Sequence, residues 1–328
     1  MSLDTASDIP LAALDAARRL VPDEILSVAL AGAGANSRIF RVETKTGPLA
    51  LKSYPTRLGD PRDRQDCEWR ALVFLRANGE TAVPQALART ASGGFTMMEW
   101  IEGHPVTAPA DPDVREACAF IRRVFALSSH ADANGFGPAS EACLSEAEIF
   151  AQIARRLDAF APYPGLQAFL DREFGPALRA AEAQSSPGMR DAALEPAQRR
   201  LIPADFGFHN ALKTAEGRLR FFDFEYFGWD DPAKLAADFM LHPAVALTEA
   251  QKQVIKKECT EAMASDPTFA ERLRRRYALY RLRWVLILLN PFRRDRIASL
   301  DGDPAGLDKL FHAQRHKAQA MLGQRFPA

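Results

Sequence analysis

Two short apolar runs late in the chain are each followed by an aspartate. Asp205 lies just beyond the run Leu201–Ile202, Asp223 directly follows the run 219–222, and Asn210 comes five positions after Asp205. We interpret the runs as strands that deliver these polar side chains onto loops. Side-chain oxygens presented in this way are the hard ligands that suit Mg²⁺, which usually takes one or two carboxylates together with substrate phosphates. The stretch therefore predicts a magnesium site that binds a phosphorylated compound.

The order of these residues matches the catalytic loop and the metal-binding aspartate of kinases. The segments ADFGFHNAL and FFDFEYFGWDDP resemble the aminoglycoside phosphotransferase and choline kinase-like family, whose members are relatives of the protein kinases. The resemblance implies that Asp205 orients the acceptor hydroxyl and takes its proton, while Asn210 and Asp223 hold the metal ions that bridge the ATP phosphates. The family usually has a histidine two residues before the catalytic aspartate, where this chain has Pro203. His209 is the nearest replacement in the sequence.

A tract of small residues near the N-terminus is the second feature with a chemical use. It lies between two predicted strands, 25–30 and 39–43, and reads AGAGANS. Small residues let backbone N–H groups approach phosphates closely, although an ordinary hairpin loop explains the tract equally well. Its Asn-Ser tip resembles the loop of the phosphotransferase family. The residues expected to contact phosphate are Gly32, Gly34, Asn36 and Ser37.

Lys52 lies on a third predicted strand, 49–54, directly after the apolar residues Ala50 and Leu51. In a kinase, a lysine at this place binds the α- and β-phosphates and pairs with a glutamate on the next helix. A helix is predicted over 62–78, and Glu68 is the expected partner, with Asp66 as the alternative. The pattern of alternation also allows an outward-facing surface lysine, and both acidic residues could be exposed.

Two further strands are predicted over 84–91 and 95–100. The segment 97–103, which begins within the second of them, resembles the hinge of the same family. In that hinge, backbone groups bind adenine and apolar side chains enclose its ring. The resemblance assigns Met98, Glu99 and Trp100 to this segment. Met98 could equally be an ordinary core residue, since methionine commonly fills space in hydrophobic cores.

The element pattern predicts an α+β protein, and the family resemblance implies the bilobal, protein kinase-like fold. Residues 1–103 form the expected nucleotide-binding lobe, a small antiparallel sheet with one key helix. Residues 104–328 form the expected catalytic and acceptor-binding lobe, which is larger and mainly helical. The connection over 104–113 is rich in proline and polar residues, and 185–198 is predicted to be a polar loop. The helices predicted after the connection span 114–130, 145–160, 166–183, 233–240, 248–265, 269–289 and 306–322.

Composition excludes several classes of function. The 42 basic and 42 acidic residues balance, whereas nucleic acid binding usually comes with a basic excess. The cysteines are scattered without a C-x-x-C pair, which argues against a zinc site and against a disulfide framework. The N-terminus lacks the features of a signal peptide, and no apolar run is long enough to span a bilayer. We therefore expect a cytoplasmic protein that binds neither membrane nor nucleic acid; its oligomeric state stays open.

Together these features predict an ATP- and Mg²⁺-dependent kinase that phosphorylates a hydroxyl of a small molecule. The chain leaves little room for an activation segment after Asp223, which argues against a protein substrate. The closing helices are rich in Arg, Lys and His, which favours a sugar, a polyol or an acid-bearing metabolite over a cationic acceptor. The alternatives are an aminoglycoside or choline-like amino alcohol kinase, or a nucleotide-binding pseudokinase scaffold, which Pro203 keeps open.

Overall fold

The computed structural model describes residues 11–33, 37–54, 62–91, 94–297 and 304–327. In chain order its helices and strands are α1 (Leu11–Leu20), β1 (Ile25–Ala33), β2 (Arg38–Thr44), β3 (Gly47–Ser53), α2 (Arg64–Ala77), β4 (Ala86–Arg89), β5 (Phe95–Glu99), β6 (His104–Pro105), α3 (Asp111–Ala126), α4 (Glu146–Asp158), α5 (Pro164–Phe169), α6 (Gly175–Ala183), α7 (Pro187–Asp191), β7 (Arg200–Ile202), β8 (Ala211–Lys213), β9 (Leu219–Phe221), β10 (Gly228–Asp230), α8 (Pro232–Leu241), α9 (Glu249–Ala262), α10 (Phe269–Leu288), α11 (Arg294–Ile297) and α12 (Pro304–Gly323). The predicted α+β class is confirmed.

The chain divides into two compact units. The first comprises Met1–Thr107 together with Phe208–Phe227, and the second comprises Ala108–Gly207 together with Gly228–Ala328. The hairpin of β8 and β9 joins the first unit because β8 pairs antiparallel with β6. The functional boundary expected at residues 103 and 104 stays a prediction.

An antiparallel sheet of five strands, in the order β1-β2-β3-β5-β4, forms the frame of the first unit. Alternate residues of these strands point to opposite faces, so one face can be apolar. Helix α1 covers that face through its alanines, which let the helix lie close to the sheet. The resulting core consists of Ala13, Ala16, Ala17, Val21, Val28, Phe40, Val42, Leu51, Phe95 and Met97.

The expected small-residue loop is shorter than the sequence indicates. Strand β1 continues through Ala33, and Gly32 pairs with Ile39 of β2 after an irregularity in the register. Small residues do not prevent strand pairing, so the neighbouring strand decides where β1 ends. The prediction that Gly32 lies in a loop is therefore wrong. Gly34 and Asn36 lie outside the described residues, and Ser37 directly precedes β2.

Helices build most of the second unit, and two predicted loops contain regular structure. The connection over 104–113 holds β6 and the start of α3, because Pro112 fits a first helical turn and Asp113 accepts the Ala110 N–H at 2.9 Å. Likewise, the expected loop over 185–198 contains the short helix α7.

The helix predicted over 166–183 is divided into α5, a π-helical turn at Leu170–Phe174, and α6. Pro176 is the second residue after this turn, and it has no N–H to donate to a carbonyl of the preceding turn. The helix accommodates the missing hydrogen bond by widening into a π-helical turn. The periodicity of apolar residues alone does not predict this change.

Aromatic stacking and buried ion pairs hold the second unit together around β7, β10 and α8. Asp231 caps α8 by accepting the Ala233 N–H at 2.9 Å, and its carboxylate also binds Arg272 at 3.1 Å and Arg276 at 2.8 Å. All three charged side chains are buried. Such a network is satisfied only in one arrangement, so it fixes where α10 lies against the start of α8.

We expect Gly228→Ala to destabilise the second unit. A Cβ at Gly228 would lie 2.6 Å from the carbonyl oxygen of Gly137 and 2.7 Å from the nitrogen of Ala139, and backbone cannot move aside cheaply. The free energy of unfolding should fall by about 1–3 kcal/mol, as for other overpacked sites. Chemical denaturation measures this. Gly137→Ala is the matched control, because a Cβ there meets no atom within 4 Å; equal effects of the two changes would contradict the expectation.

Candidate functional site

Lys52 on β3 lies at the centre of a buried group of charges in the first unit. Its Nζ is 2.6 Å from Oε2 of Glu68 and 2.7 Å from Oδ1 of Asp223. The lysine side chain is only 3% exposed, so its ammonium is largely shielded from water. The interpretation of Lys52 as an outward-facing surface lysine is therefore wrong. Burial alone lowers the pKa of Lys52, but Glu68 and Asp223 outweigh burial and raise this pKa well above its ordinary value.

Glu68, rather than Asp66, faces Lys52 from helix α2. The carboxylate of Glu68 also accepts the hydroxyl of Tyr54 at 2.6 Å and the N–H of Phe224 at 3.1 Å. Burial raises the pKa of Glu68, and the positive charge of Lys52 opposes that rise. Asp66 instead binds Arg89 at 2.8 Å on a partly exposed surface. Glu68 therefore links the sheet, the helix and the segment after β9.

Glu225 is a third carboxylate at this lysine that the sequence did not single out. Its Oε2 lies 3.5 Å from Nζ of Lys52, and its Oε1 lies 3.4 Å from Arg64. Oxygens of Glu68, Asp223 and Glu225 all lie within 4.8 Å of one another. The spacing of Asp223 and Glu225, two positions apart, was the only signal available in the sequence.

Asp223 differs from its two neighbours in exposure and in backbone conformation. Its side chain is 26% exposed, whereas Glu68 and Glu225 are each 1% exposed. Its φ of +69° lies in the left-handed region, which is uncommon for residues other than glycine. Such strain concentrates at functional sites, where the surrounding structure holds it. Asp223 is thus the carboxylate of this group that a ligand can reach.

Asn210 and Asp223 lie at the same end of the hairpin formed by β8 and β9. Ala211 pairs with Phe221, and the N–H of Phe222 donates to the carbonyl of Asn210 at 3.1 Å. A residue just before β8 is therefore next to a residue just after β9, although thirteen positions separate Asn210 from Asp223 in the sequence. The hairpin explains how a local pairing makes these two residues neighbours along the backbone.

Asp205 belongs to the second unit and lies on the turn after β7. Its N–H donates to the carbonyl of Pro203 at 2.8 Å, and Ala204 between them has a φ of +57°. The next side chain, Phe206, stacks on Phe120 and contacts Phe239 edge-on. This aromatic anchor holds the strained turn in place and leaves the Asp205 side chain 39% exposed.

The segment that includes Met98, Glu99 and Trp100 ends β5. Met98 is buried in the sheet, where it pairs with Ala50 of β3. The carboxylate of Glu99 binds Arg220 at 2.9 Å, and its N–H donates to the carbonyl of Gln85. The Trp100 ring lies under the Arg41 guanidinium, 4.8 Å from the ring centroid. The Glu99 side chain and N–H are therefore already occupied by protein contacts.

A scan against protein-family models matches residues 27–284 to the phosphotransferase enzyme family. That range covers both compact units and includes Lys52, Asp205 and Asp223. The chain belongs to this phosphotransferase family. The recognition made from the residue motifs is confirmed. A search of curated proteins finds none that matches the sequence significantly.

Solved structures of three phosphotransferases share the fold of this family member. Macrolide 2'-phosphotransferase MphH from Brachybacterium faecium is 18% identical, with a TM-score of 0.59 over 96% of this chain and 98% of that chain. Choline kinase LicA from Streptococcus pneumoniae is 15% identical, with a TM-score of 0.59 over 91% and 94%. Amicoumacin kinase hAmiN, solved with AMP-PNP, Ca²⁺ and Ami, is 12% identical, with a TM-score of 0.61 over 97% and 96%.

Family membership confirms the predicted class of enzyme. This phosphotransferase is a small-molecule kinase whose acceptor is a hydroxyl group, and the predicted cofactors, ATP and a divalent cation, agree with that class. Within the described part of the chain, no helix combines the length and apolarity needed to span a membrane.

Proposed function

We propose that this phosphotransferase moves the γ-phosphoryl group of ATP to a hydroxyl of a neutral, hydroxyl-rich small molecule such as a sugar or related metabolite. Residues 1–103 bind the nucleotide, and residues 104–328 supply the acceptor site and the catalytic aspartate. The observation that carries the proposal is the buried Lys52, whose ammonium is held by Glu68 and by the strained, partly open Asp223. A lysine fixed in this way is poised to bind phosphate oxygens.

The roles of the individual residues follow from their chemistry. Lys52 binds the α- and β-phosphates, and Glu68 holds its ammonium in place. Backbone N–H groups near Gly32, Gly34, Asn36 and Ser37 contact the phosphates, and the segment Met98–Trp100 borders the adenine. Since the Glu99 N–H is already bonded to Gln85, the contact to adenine falls to the remaining backbone groups of that segment.

Asp205 acts as the general base. It accepts the proton of the acceptor hydroxyl while the hydroxyl oxygen attacks the γ-phosphorus. The bond from the γ-phosphorus to the bridging β-phosphate oxygen breaks, and ADP leaves with that electron pair. Little covalent chemistry is asked of the protein, so the rate depends on positioning and electrostatics.

The donor set at the end of the hairpin fits a divalent cation. Asp223 offers a partly exposed carboxylate and Asn210 an amide oxygen, which are the oxygen ligands that Mg²⁺ prefers. Glu225 lies close by and pairs with Lys52 through Oε2 at 3.5 Å, so three carboxylates surround this one ammonium. When bound, Mg²⁺ neutralises charge that develops on the transferring phosphoryl group. We assign Asn210 and Asp223 as its protein ligands.

The charges of the second unit support a neutral acceptor. Several arginines in the C-terminal part of the chain bind carboxylates of the protein. These pairs are Arg283–Asp238 at 3.2 Å, Arg293–Asp295 at 2.9 Å and Arg315–Glu173 at 2.7 Å. The buried acidic residues Asp230 and Asp238 are likewise matched, by Lys234. Because these side chains neutralise one another within the protein, they favour an uncharged acceptor that is recognised through its hydroxyl groups. Choline and an aminoglycoside remain second candidates, because structural neighbours act on them.

A panel of acceptors tests this function. ADP release would be measured with Mg²⁺ and ATP in the presence of glucose, myo-inositol, choline, hygromycin B or erythromycin, and without an acceptor. We expect a neutral polyol to stimulate turnover most and removal of Mg²⁺ to abolish it. Stimulation by choline or hygromycin B alone would replace the neutral acceptor by a cationic one. ATP binding without stimulation by any hydroxyl compound would contradict the proposed transfer.

A further inference from the structure

His242 at the end of helix α8 is placed beside Asp205 within the second unit. Its Nε2 lies 3.9 Å from Oδ1 of Asp205, and the histidine side chain is 16% exposed. A direct hydrogen bond would be about 2.7–3.2 Å long, so this gap is too wide for one. A single oxygen atom can, however, lie about 2.8 Å from both atoms and bridge them. The spacing therefore fits a hydroxyl group between the histidine and the aspartate.

The neighbours of His242 determine which ring nitrogen carries the proton. Nδ1 accepts the N–H of Ala244 at 3.3 Å, so the neutral ring bears its hydrogen on Nε2. This assigns an N–H donor to the side of the ring that faces Asp205. A hydroxyl placed between the two side chains can accept the Nε2–H of His242 on its oxygen and donate its own hydrogen to the carboxylate of Asp205.

Packing holds the ring in this orientation. The Trp284 ring lies edge-on to His242, with centroids 4.8 Å apart and an interplanar angle of 83°. The indole N–H of Trp284 donates to Asp238 at 2.8 Å, and Asp238 is bound in turn by Lys234 and Arg283 at 3.2 Å each. These supporting side chains are buried and held by ion pairs, so the His242 ring needs little reorganisation when a ligand binds.

We propose that His242 is a further catalytic residue that binds the reacting hydroxyl of the acceptor. Its Nε2–H donates to the acceptor oxygen, whose own proton passes to Asp205 as that oxygen attacks the γ-phosphorus. The histidine gives up no proton; it stabilises the negative charge that grows on the oxygen. This role rests on the proposed function of Asp205, and it provides a histidine near the base although Pro203 occupies the usual position.

Two amide substitutions separate this role from a structural one. In His242→Gln the amide N–H reaches the position of Nε2, whereas in His242→Asn the amide oxygen reaches the position of Nδ1 and keeps the bond from Ala244. We expect His242→Asn to lower kcat about 100-fold, as for loss of one donor to a developing oxyanion, with the KM for ATP unchanged. His242→Gln should restore most of this loss. If His242 had a purely structural role, His242→Asn, which keeps the bond from Ala244, would be the more active of the two variants.

The assay is ADP formation with Mg²⁺, ATP and the fastest acceptor of the panel, and the same ranking is expected for acceptor-free hydrolysis, where water is the acceptor. Rates are normalised to the fraction of molecules that bind ATP in calorimetry, so partial misfolding does not imitate a loss. His209→Asn tests the histidine that the sequence indicated. Native turnover in His242→Asn, equal loss in both variants of His242, or loss only in His209→Asn would each overturn the inference.

The failure of this inference differs from the failure of the proposed function. If Asp205→Asn is slow while His242→Asn turns over at the native rate, only the role of His242 is wrong. If Asp205→Asn itself keeps native turnover, the base is assigned wrongly and the role of His242 is lost with it.

Discussion

Asp205→Asn is expected to reduce kcat by roughly 10²–10⁴-fold, the usual contribution of a positioned general base. Asparagine has nearly the same shape as aspartate but cannot accept the proton of the acceptor hydroxyl. The turn that carries it depends on the strained Ala204 and on the stacking of Phe206, neither of which the substitution changes. The fold and the affinity for ATP should therefore be retained. Steady-state kinetics and calorimetric binding of ATP measure the two quantities separately.

Asp191→Asn is the matched control for this experiment, since Asp191 is an exposed aspartate of the same unit and lies in the short helix α7. It should leave kcat unchanged. A loss of ATP binding in Asp205→Asn that accounts for the whole decrease in rate would show that Asp205 supports the fold instead of the chemistry.

Lys52→Met is expected both to weaken ATP binding and to destabilise the first unit. Methionine fills the space but leaves Glu68 and Glu225, each 1% exposed, without the ammonium between them. Breaking a buried ion pair from one side typically costs about 3–5 kcal/mol, because the remaining charge stays buried. Loss of charge-assisted bonds to the phosphates, about 1.5–3 kcal/mol, should weaken ATP binding roughly 10- to 100-fold.

The destabilisation of Lys52→Met should diminish as the pH falls. Burial already raises the pKa of Glu68 in the native protein, and Lys52 opposes that rise. Without the lysine, the folded state binds a proton on Glu68 more tightly than the unfolded state does. Stability is then lost as the pH rises through the folded-state pKa and regained as the pH falls toward the unfolded value. Urea denaturation at a series of pH values upward from 4.5, the ordinary pKa of a glutamate, measures the difference.

Two variants identify the cause of the effect. Lys52→Met combined with Glu68→Gln removes the unpaired carboxylate and should recover much of the stability without recovering ATP binding. Lys45→Met removes a lysine that is 62% exposed and pairs with Glu24 on the surface, where such pairs contribute little. If the double variant is no more stable than Lys52→Met, the buried carboxylate is not what destabilises the single variant.

Residue order was informative wherever the chemistry depends on local segments. The strands and most helices follow from the periodicity of apolar residues, and Asn210 and Asp223 approach each other through a short hairpin between neighbouring strands. The segments ADFGFHNAL and FFDFEYFGWDDP therefore identified the family without coordinates, and a family match over residues 27–284 agrees. Local pairing costs little chain entropy, so it can be read from a short stretch.

The sequence favoured Glu68 as the partner of Lys52 but kept Asp66 as an alternative, for a geometric reason. Glu68 and Asp66 are two positions apart on helix α2, so their side chains point about 200° apart around the helix axis. One must face the sheet and the other must face away, but the weakly amphipathic helix did not reveal which. Only the packing of α2 against the sheet makes Glu68 the buried carboxylate and leaves Asp66 with Arg89.

The sequence by itself determined the fold class, the family and the residue types that the reaction needs. The tertiary structure decided which charges meet, because Lys52 and Asp223 are 171 positions apart and no periodicity relates them. It also placed Glu225 next to Lys52, paired Arg283 with Asp238, and placed His242 beside Asp205. Such contacts depend on how whole elements pack, and packing is a property of the folded chain that no short segment carries.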